Sequence, residues 1–244
     1  MIITGVGDSC FGSHCRLCGD RFSHFLKEAR FCFWQKACSF IVMLLKIHPD
    51  NPPDRQVKMV TGTLQKGGVI IYPTDTIYGL GCDILEHRAV ERICRIKKVD
   101  PKKAQLSFIC SDLSHLSDYT KQLPTATYRI LKEYLPGPYT FILPASKMVP
   151  KILQSKKDTI GLRIPDNKIA LAILRELGRP ILSASLPGEM VEDYTDPEVM
   201  FENFRNEVDV VVDGGIGGMI PSTVIDLTAD DPVVIREGLG KWEE

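Results

Sequence analysis

Six short polar clusters, most of them at the ends of apolar runs, are where this chain could do chemistry. The first is Pro73-Thr74-Asp75-Thr76-Ile77-Tyr78-Gly79-Leu80. Two hydroxyls, a carboxylate and a phenol emerge directly behind the apolar run 69–72, and loops at strand ends collect functional residues in α/β sheets. The second is basic: Arg95, Lys97, Lys98, Lys102 and Lys103 surround the single acid Asp100. Such a cluster can clamp a phosphate or another anion; the plainer reading is a solvated helix end, where cations are favoured by the helix dipole. In the third, 159–165, Arg163 interrupts an otherwise apolar strand. An inward-facing arginine is costly unless it meets an anion. Ser183-Ala184-Ser185 is the fourth, and alternation puts both hydroxyls on one face. Pro221-Ser222-Thr223-Val224-Ile225-Asp226 and Arg236-Glu237-Gly238 complete the set. Together they offer hydroxyls and three cationic positions, Lys97, Arg163 and Arg236, without a nucleophile–base pair. That inventory suits a polyanion such as a nucleoside triphosphate, with catalysis by positioning and charge stabilisation.

Other chemistries lose their footing. No G-x-x-x-x-G-K-[ST] occurs, and the run Gly214-Gly215-Ile216-Gly217-Gly218 lacks the lysine and the following helix. Its place between two strands predicts a turn or a flexible flap. There is no H-E-x-x-H. Beyond Met43 only His48, His87 and His115 remain, without ligand spacing, so no metal site is expected there. No G-x-S-x-G elbow appears. With 30 Lys+Arg against 31 Asp+Glu the net charge is −1, so a nucleic acid could be held only by a local basic patch. At 44% apolar and 25% charged residues, whole-chain disorder, collagen and coiled coil are excluded. The longest uncharged apolar run, 37–45, is shorter than the ~20 residues a membrane span needs, and no cleavage site follows it. A cytoplasmic protein is expected.

Five of the eight cysteines, Cys10, Cys15, Cys18, Cys32 and Cys38, precede Met43. Cys15-x-x-Cys18, with His14 and His24 nearby, invites a zinc reading, but a single pair without a partner pair is a weak signature. Residues 1–42 mix Phe, Trp and Cys without helical or strand period. Met43 opens a run with the character of a true protein start. The expectation is an over-extended start or disordered tail over 1–42, and one domain over 43–244.

Within that domain the patterns predict helices over 54–66, 86–98, 125–135, 167–177 and 196–208, and a short helix capped by Ser111. Strands are predicted over 69–72, 106–110, 139–143, 160–164, from 180 to 183, 210–212, 223–227 and 233–236. Gly67 and Gly178 stand at helix ends, and Pro197 in a first turn. Helices and strands interleave without a strict βαβ rhythm, and the closing connections are short. The reading is a single α/β domain with a twisted, mixed parallel and antiparallel sheet flanked by helices.

The order PTDTIYGL, a helix ending in IK, PGPYTFIL, TIGLRIP, SAS, PSTVIDLT and IREG resembles the YrdC/YciO family of threonylcarbamoyl-AMP synthases. The likeness runs from about Met43 to Gly240. It implies a YrdC-like fold with a large basic concave cavity. It implies a nucleotidyltransferase that joins L-threonine, bicarbonate and ATP, with magnesium, into threonylcarbamoyl-adenylate and pyrophosphate, for threonylcarbamoyladenosine in tRNA. Family members are also described as binders of double-stranded RNA. By position, the resemblance puts Thr76, Arg163, Ser183 and Ser222 at L-threonine. It puts Lys97, Thr159, Ser185 and Arg236 at the nucleotide, with Lys97 and Arg163 as the catalytic pair.

The chain departs from the synthase pattern. Lys97-Lys98-Val99 lacks the arginine of the family's K-x-R, and Ser183-Ala184-Ser185 replaces its S-x-N. A histidine common in synthases aligns near Phe108. Lys98 or Lys102 could stand in as a point charge but not as a bidentate fork. These changes point to the YciO branch. They leave two functions standing: a synthase-type enzyme with reduced turnover, or a protein binding double-stranded RNA or tRNA without turnover.

Overall fold

Short runs rich in Val, Ile and Leu supply most of the strands. The computed structural model describes residues 42–243, apart from 101–105, 151–152, 154–157, 189 and 230. The readings made for residues 1–41, the zinc pair included, and for Lys102 and Lys103 lie outside the described residues. The strands are β1 (Met43–Lys46), β2 (Val69–Tyr72), β3 (Gly79–Asp83), β4 (Ser107–Ile109) and β5 (Tyr139–Pro144), then β6 (Thr159–Arg163), β7 (Ile181–Ser185), β8 (Val210–Asp213), β9 (Thr223–Asp226) and β10 (Val233–Arg236). The helices are α1 (Asp54–Gln65), α2 (His87–Ile96), α3 (Leu113–Ser117), α4 (Thr125–Tyr134), α5 (Lys168–Leu177), α6 (Glu192–Thr195) and α7 (Pro197–Phe204).

All ten strands form one sheet in the order β1-β8-β2-β3-β7-β4-β6-β5-β9-β10. β8 runs parallel to β1 and β2, β4 to β6, and β5 to β9; the other neighbours are antiparallel. The mixed sheet flanked by helices is the architecture read from the sequence.

Local chemistry fixes most boundaries. α1 closes where Gly67 takes φ +79° and Gly68 N–H donates to Thr63 O. The Asn167 side chain accepts from Ala170 N–H at 3.0 Å to start α5, and Gly178 ends it at φ +71°. Asp196 caps α7 ahead of Pro197. Two expectations are corrected. α3 is capped by Asp112, whose carboxylate accepts from His115 N–H at 2.8 Å, while Ser111 Oγ donates to that same carboxylate. A carboxylate is the stronger acceptor at a helix start. α7 stops at Phe204 rather than 208 because the chain must turn to bring Asp209 back to β2. There Asp209 accepts from Val69 N–H at 2.7 Å and pairs with Arg92 at 2.6 Å.

The sequence gives no strand signal over β3, because two glycines in five residues weaken it. Tertiary packing demands the glycine at 81: a Cβ there would come 2.7 Å from the Tyr72 ring and 2.9 Å from Ile181 Cγ2. β1, read only as a chain start, pairs in parallel with β8.

Each face of the sheet carries a core. On one, Leu80, Phe108, Phe141, Leu162 and Leu182 pack with Val90 and Ile93 of α2, Leu131 of α4 and Met200 of α7. On the other, α1 and α5 lay Val60, Leu64, Ile169 and Ile173 over Ile70, Tyr72, Ile109, Ile181 and Val210. These two helices cover only part of their face. Beyond them the register aligns Gly81, Ser183, Ser107 and Gly161, a floor of small residues.

The connection from β8 to β9 shows how that floor is enclosed. In a flat sheet the seven spacings between these strands would amount to about 34 Å. The nine residues 214–222 could bridge that only if fully extended. They are not extended, because Gly215 turns at φ +96°. The sheet therefore curls, concave on the face that this loop crosses.

Candidate functional site

Alternation and register place the strand-borne residues on the concave face. Ile109 and Ile181 belong to the core beneath α1 and α5, and Arg163 pairs with Ile109. Thr159 and Arg163 on β6 therefore point to that side, as do Ser183 and Ser185 on β7. Arg236, past a bulge in β10, is opposite Val224 and shares its face. Thr140, between Tyr139 and the core residue Phe141, looks the same way.

Arg163 is the centre. It is 6% exposed, and its Nη2 donates to Asp75 Oδ1 at 2.5 Å and to Thr76 Oγ1 at 2.9 Å. Thr76, itself 1% exposed, is held by its neighbours: Thr74 Oγ1 lies 3.1 Å from Thr76 Oγ1, accepts from Thr76 N–H, and donates to Ile77 O at 2.6 Å. A buried guanidinium needs both a counter-charge and saturation of its donors. Here the counter-charge is present and saturation is not. Arg163 Nε and Asp75 Oδ2 are both buried and both without a hydrogen-bond partner.

The remaining positions meet in pairs. Arg236 Nη2 donates to Ser222 O at 2.8 Å and to Ser222 Oγ at 3.3 Å, and Ser222 Oγ is 2.9 Å from Thr140 Oγ1. Lys97 Nζ donates to Ser185 O at 2.6 Å and Ser185 Oγ at 3.1 Å. Ser183 Oγ accepts from the Tyr72 hydroxyl at 2.8 Å. Burial pushes that phenol up to about 12, so Tyr72 remains a donor at neutral pH. Lys97 is half-buried, and loss of solvent lowers its ammonium from the ordinary lysine value. Arg236 is lowered first by burial and then by the positive charge of Arg163, which places the two guanidiniums within electrostatic reach. Repulsion between facing cations is what an anionic ligand relieves.

Thr76 and Arg163 thus touch, as do Lys97 and Ser185. Ser222, expected at the amino acid, is bonded to Arg236, expected at the nucleotide, so the two sets meet there. Thr159 lies on the Arg163 face of the same strand. Lys98 is exposed at φ +54°, closing α2 in the left-handed position usually taken by glycine. Three contributors escaped the sequence reading. Asp75 is, in the sequence, only one carboxylate in a polar turn. Tyr72 and Thr140 sit inside apolar strands and carry no signal of their own.

The glycine-rich run is a turn, as expected, but it is packed in place. Tyr78 Oη donates to Gly215 O at 2.7 Å and accepts from Gly214 N–H at 3.0 Å, and Gly217 N–H donates to Thr195 O. At Gly218 a Cβ would fall 2.1 Å from Thr76 O. Only glycine lets this loop lie against the Thr76 backbone.

Among the described residues, no group of three or more His, Cys, Asp or Glu is placed to hold a metal ion, and no helix is long and apolar enough to cross a membrane. Cys82, Cys94 and Cys110 are free and buried, and burial raises their thiols, which makes them poor nucleophiles.

Comparison with known proteins agrees with this architecture. The Sua5/YciO/YrdC family model, described as telomere recombination, matches residues 62–238. The uncharacterised protein YciO of Escherichia coli K12 is 47% identical over 197 residues, covering 80% of this chain and 94% of YciO. The crystal structure of E. coli YciO superposes with a TM-score of 0.77 at 45% identity, covering 82% of this chain and 97% of that one. A threonylcarbamoyl-AMP synthase of Pyrococcus abyssi is 32% identical over 186 residues, 75% of this chain and 54% of the synthase. The crystal structure of P. abyssi Sua5 complexed with L-threonine gives a TM-score of 0.71 at 29% identity, covering 81% of this chain and 57% of that one. This chain spans little more than half the length of these P. abyssi relatives. The family match and these relatives establish that the chain belongs to the Sua5/YciO/YrdC family, which includes threonylcarbamoyl-AMP synthases.

Proposed function

We propose that this protein binds L-threonine and ATP on the concave face of its sheet. There it catalyses, slowly, formation of threonylcarbamoyl-adenylate and pyrophosphate from L-threonine, bicarbonate and ATP, linked to tRNA modification. The carrying observation is the buried Arg163 with an unsatisfied Nε beside Thr76. A carboxylate brought there gains a charge-assisted hydrogen bond from Nε, which has no partner within the protein. Thr76, Ser183 and Ser222 surround that position with hydroxyls. Lys97 and Arg236, with Thr159 and Ser185, supply cations and hydroxyls for phosphates and ribose.

The stoichiometry requires the threonine nitrogen to bond to the bicarbonate carbon with loss of water. One carbamate oxygen then displaces pyrophosphate from the α-phosphorus. The residues act by orienting these partners and offsetting phosphate charge. Magnesium would enter on the nucleotide's own phosphates, where it neutralises charge. Slow turnover follows from Lys97-Lys98-Val99: the exposed Lys98 supplies no bidentate fork.

The test is pyrophosphate release by the full chain with ATP, magnesium and bicarbonate, with and without L-threonine, beside Arg163→Ala. Threonine-dependent release that the substitution abolishes is expected; no threonine-dependent release in the unmodified protein overturns the synthase reading. The second reading, double-stranded RNA or tRNA binding without turnover, rests on the exposed Arg95 and Lys98 at the end of α2. It requires an affinity that falls steeply with salt, because phosphate contacts release counterions. We further propose that residues 1–42 are dispensable. Removal of residues 1–42 should leave Tm and threonine affinity unchanged; a fall in either overturns this.

A further inference from the structure

The two unsatisfied atoms of the site are of opposite kind. Arg163 Nε is a cationic donor and Asp75 Oδ2 an anionic acceptor. Their side chains are 8% and 10% exposed, so water does not readily satisfy either one. The residues are already joined by the 2.5 Å bond from Arg163 Nη2 to Asp75 Oδ1, which keeps Nε and Oδ2 within about 7 Å of each other. A ligand that fills both must present an acceptor and a cationic donor a few ångströms apart.

We infer that Asp75 is the residue that reads the ammonium group of a zwitterionic α-amino acid, while Arg163 reads its carboxylate. This rests on the amino-acid site proposed above and adds the group that discriminates an amino acid from a plain carboxylic acid. The separation fits: one hydrogen bond of about 2.9 Å at each end, plus the span from ammonium to carboxylate, bridges the two orphaned atoms. The charges fit as well. Asp75 neutralises Arg163, so a ligand bearing only a carboxylate brings a second negative charge to an already compensated pair. A zwitterion adds no net charge and satisfies both atoms. Asp75 lies between the fixed points Thr74 and Thr76, so its carboxylate is anchored by the same turn that positions the Arg163 partner. Tyr72 lies close enough for the charges of both Asp75 and Arg163 to act on its hydroxyl, which ties this pair to Ser183 and the small-residue floor.

The experiment is calorimetric titration of the full chain, and of Asp75→Asn and Asp75→Glu, with L-threonine and with 3-hydroxybutanoate. The acid keeps the carboxylate and the hydroxyl and lacks the ammonium. The unmodified protein is expected to favour threonine by at least tenfold. In Asp75→Asn, threonine should weaken by tenfold or more while 3-hydroxybutanoate binds more tightly, because Arg163 has lost its internal competitor. Asp75→Glu should keep part of the preference. A threonine to 3-hydroxybutanoate ratio unchanged in Asp75→Asn overturns the assignment and leaves the amino-acid site standing. Equal loss of both ligands also overturns it, since that is the mark of a carboxylate whose role is to hold Arg163. Failure of the unmodified protein to bind threonine removes the amino-acid site itself and this assignment with it.

Discussion

Gly218→Ala probes the contact on which the geometry of the site depends. The added Cβ would stand 2.1 Å from Thr76 O and 3.0 Å from Thr76 C, against 3.4 Å or more in ordinary contact. Either the Thr76 backbone or the 214–218 loop must therefore retreat by roughly 1 Å. If Thr76 moves, its 2.9 Å bond from Arg163 stretches beyond hydrogen-bonding distance. If the loop moves, it gives up the bonds from Tyr78 to Gly215 and from Gly217 to Thr195. Overpacking of this kind costs about 1–3 kcal/mol. In a domain of about 200 residues that lowers Tm by about 2–12 °C. A misplacement of about 1 Å beside the reacting groups costs on the order of 100-fold in rate. The control is Gly62→Ala in α1, where an added Cβ meets nothing within 4 Å. Relief of the glycine penalty there should stabilise the fold by about 0.5–1 kcal/mol. Differential scanning calorimetry and threonine titration of both variants test the pair. A Gly218→Ala protein that melts within about 1 °C of the parent and binds threonine equally well would show that neither Thr76 nor the loop is displaced.

Two further outcomes are expected. Arg179→Ala strips the fully buried Asp83 of the guanidinium that bonds both its oxygens, leaving it Leu85 N–H. With Arg179 itself partly exposed, the cost should be about 3 kcal/mol, read as a Tm fall of about 6–12 °C with threonine affinity unchanged; a neutral melt would show that water reaches Asp83. Lys97→Met should melt at the same or a higher temperature while ATP affinity drops at least tenfold. The sign follows from burial, which holds the folded-state Lys97 below the unfolded value. The unfolded chain then binds more protons between the two values, so this group's contribution to stability rises with pH through that window and is unfavourable below it. ATP affinity should fall as pH climbs toward the lowered value, and a flat profile would remove Lys97 from the phosphate site.

Much of this molecule was legible in its residues. Helix ends at Gly67 and Gly178, helix starts near 167 and 196, and strands such as Val69–Tyr72 are decided by interactions within a few positions, which a sequence displays directly. The face shared by Ser183 and Ser185 follows from strand alternation alone. The family motifs named Thr76, Arg163, Ser222 and Arg236 because their order and types survive in the chain. What the sequence could not show depends on partners far away along it. β3 is a strand because its glycines admit the Tyr72 ring and Ile181, against the local preference. The Gly214 to Gly218 run is a packed turn rather than a flap because Tyr78 and Thr195 bond it from 137 and 22 residues away, respectively. Asp75 meets Arg163 only because folding carries it across 88 positions. That contact leaves one buried acceptor and one buried donor without a partner in the protein. Local propensity decides which short elements form; burial, charge pairing and excluded volume between distant residues decide what they build.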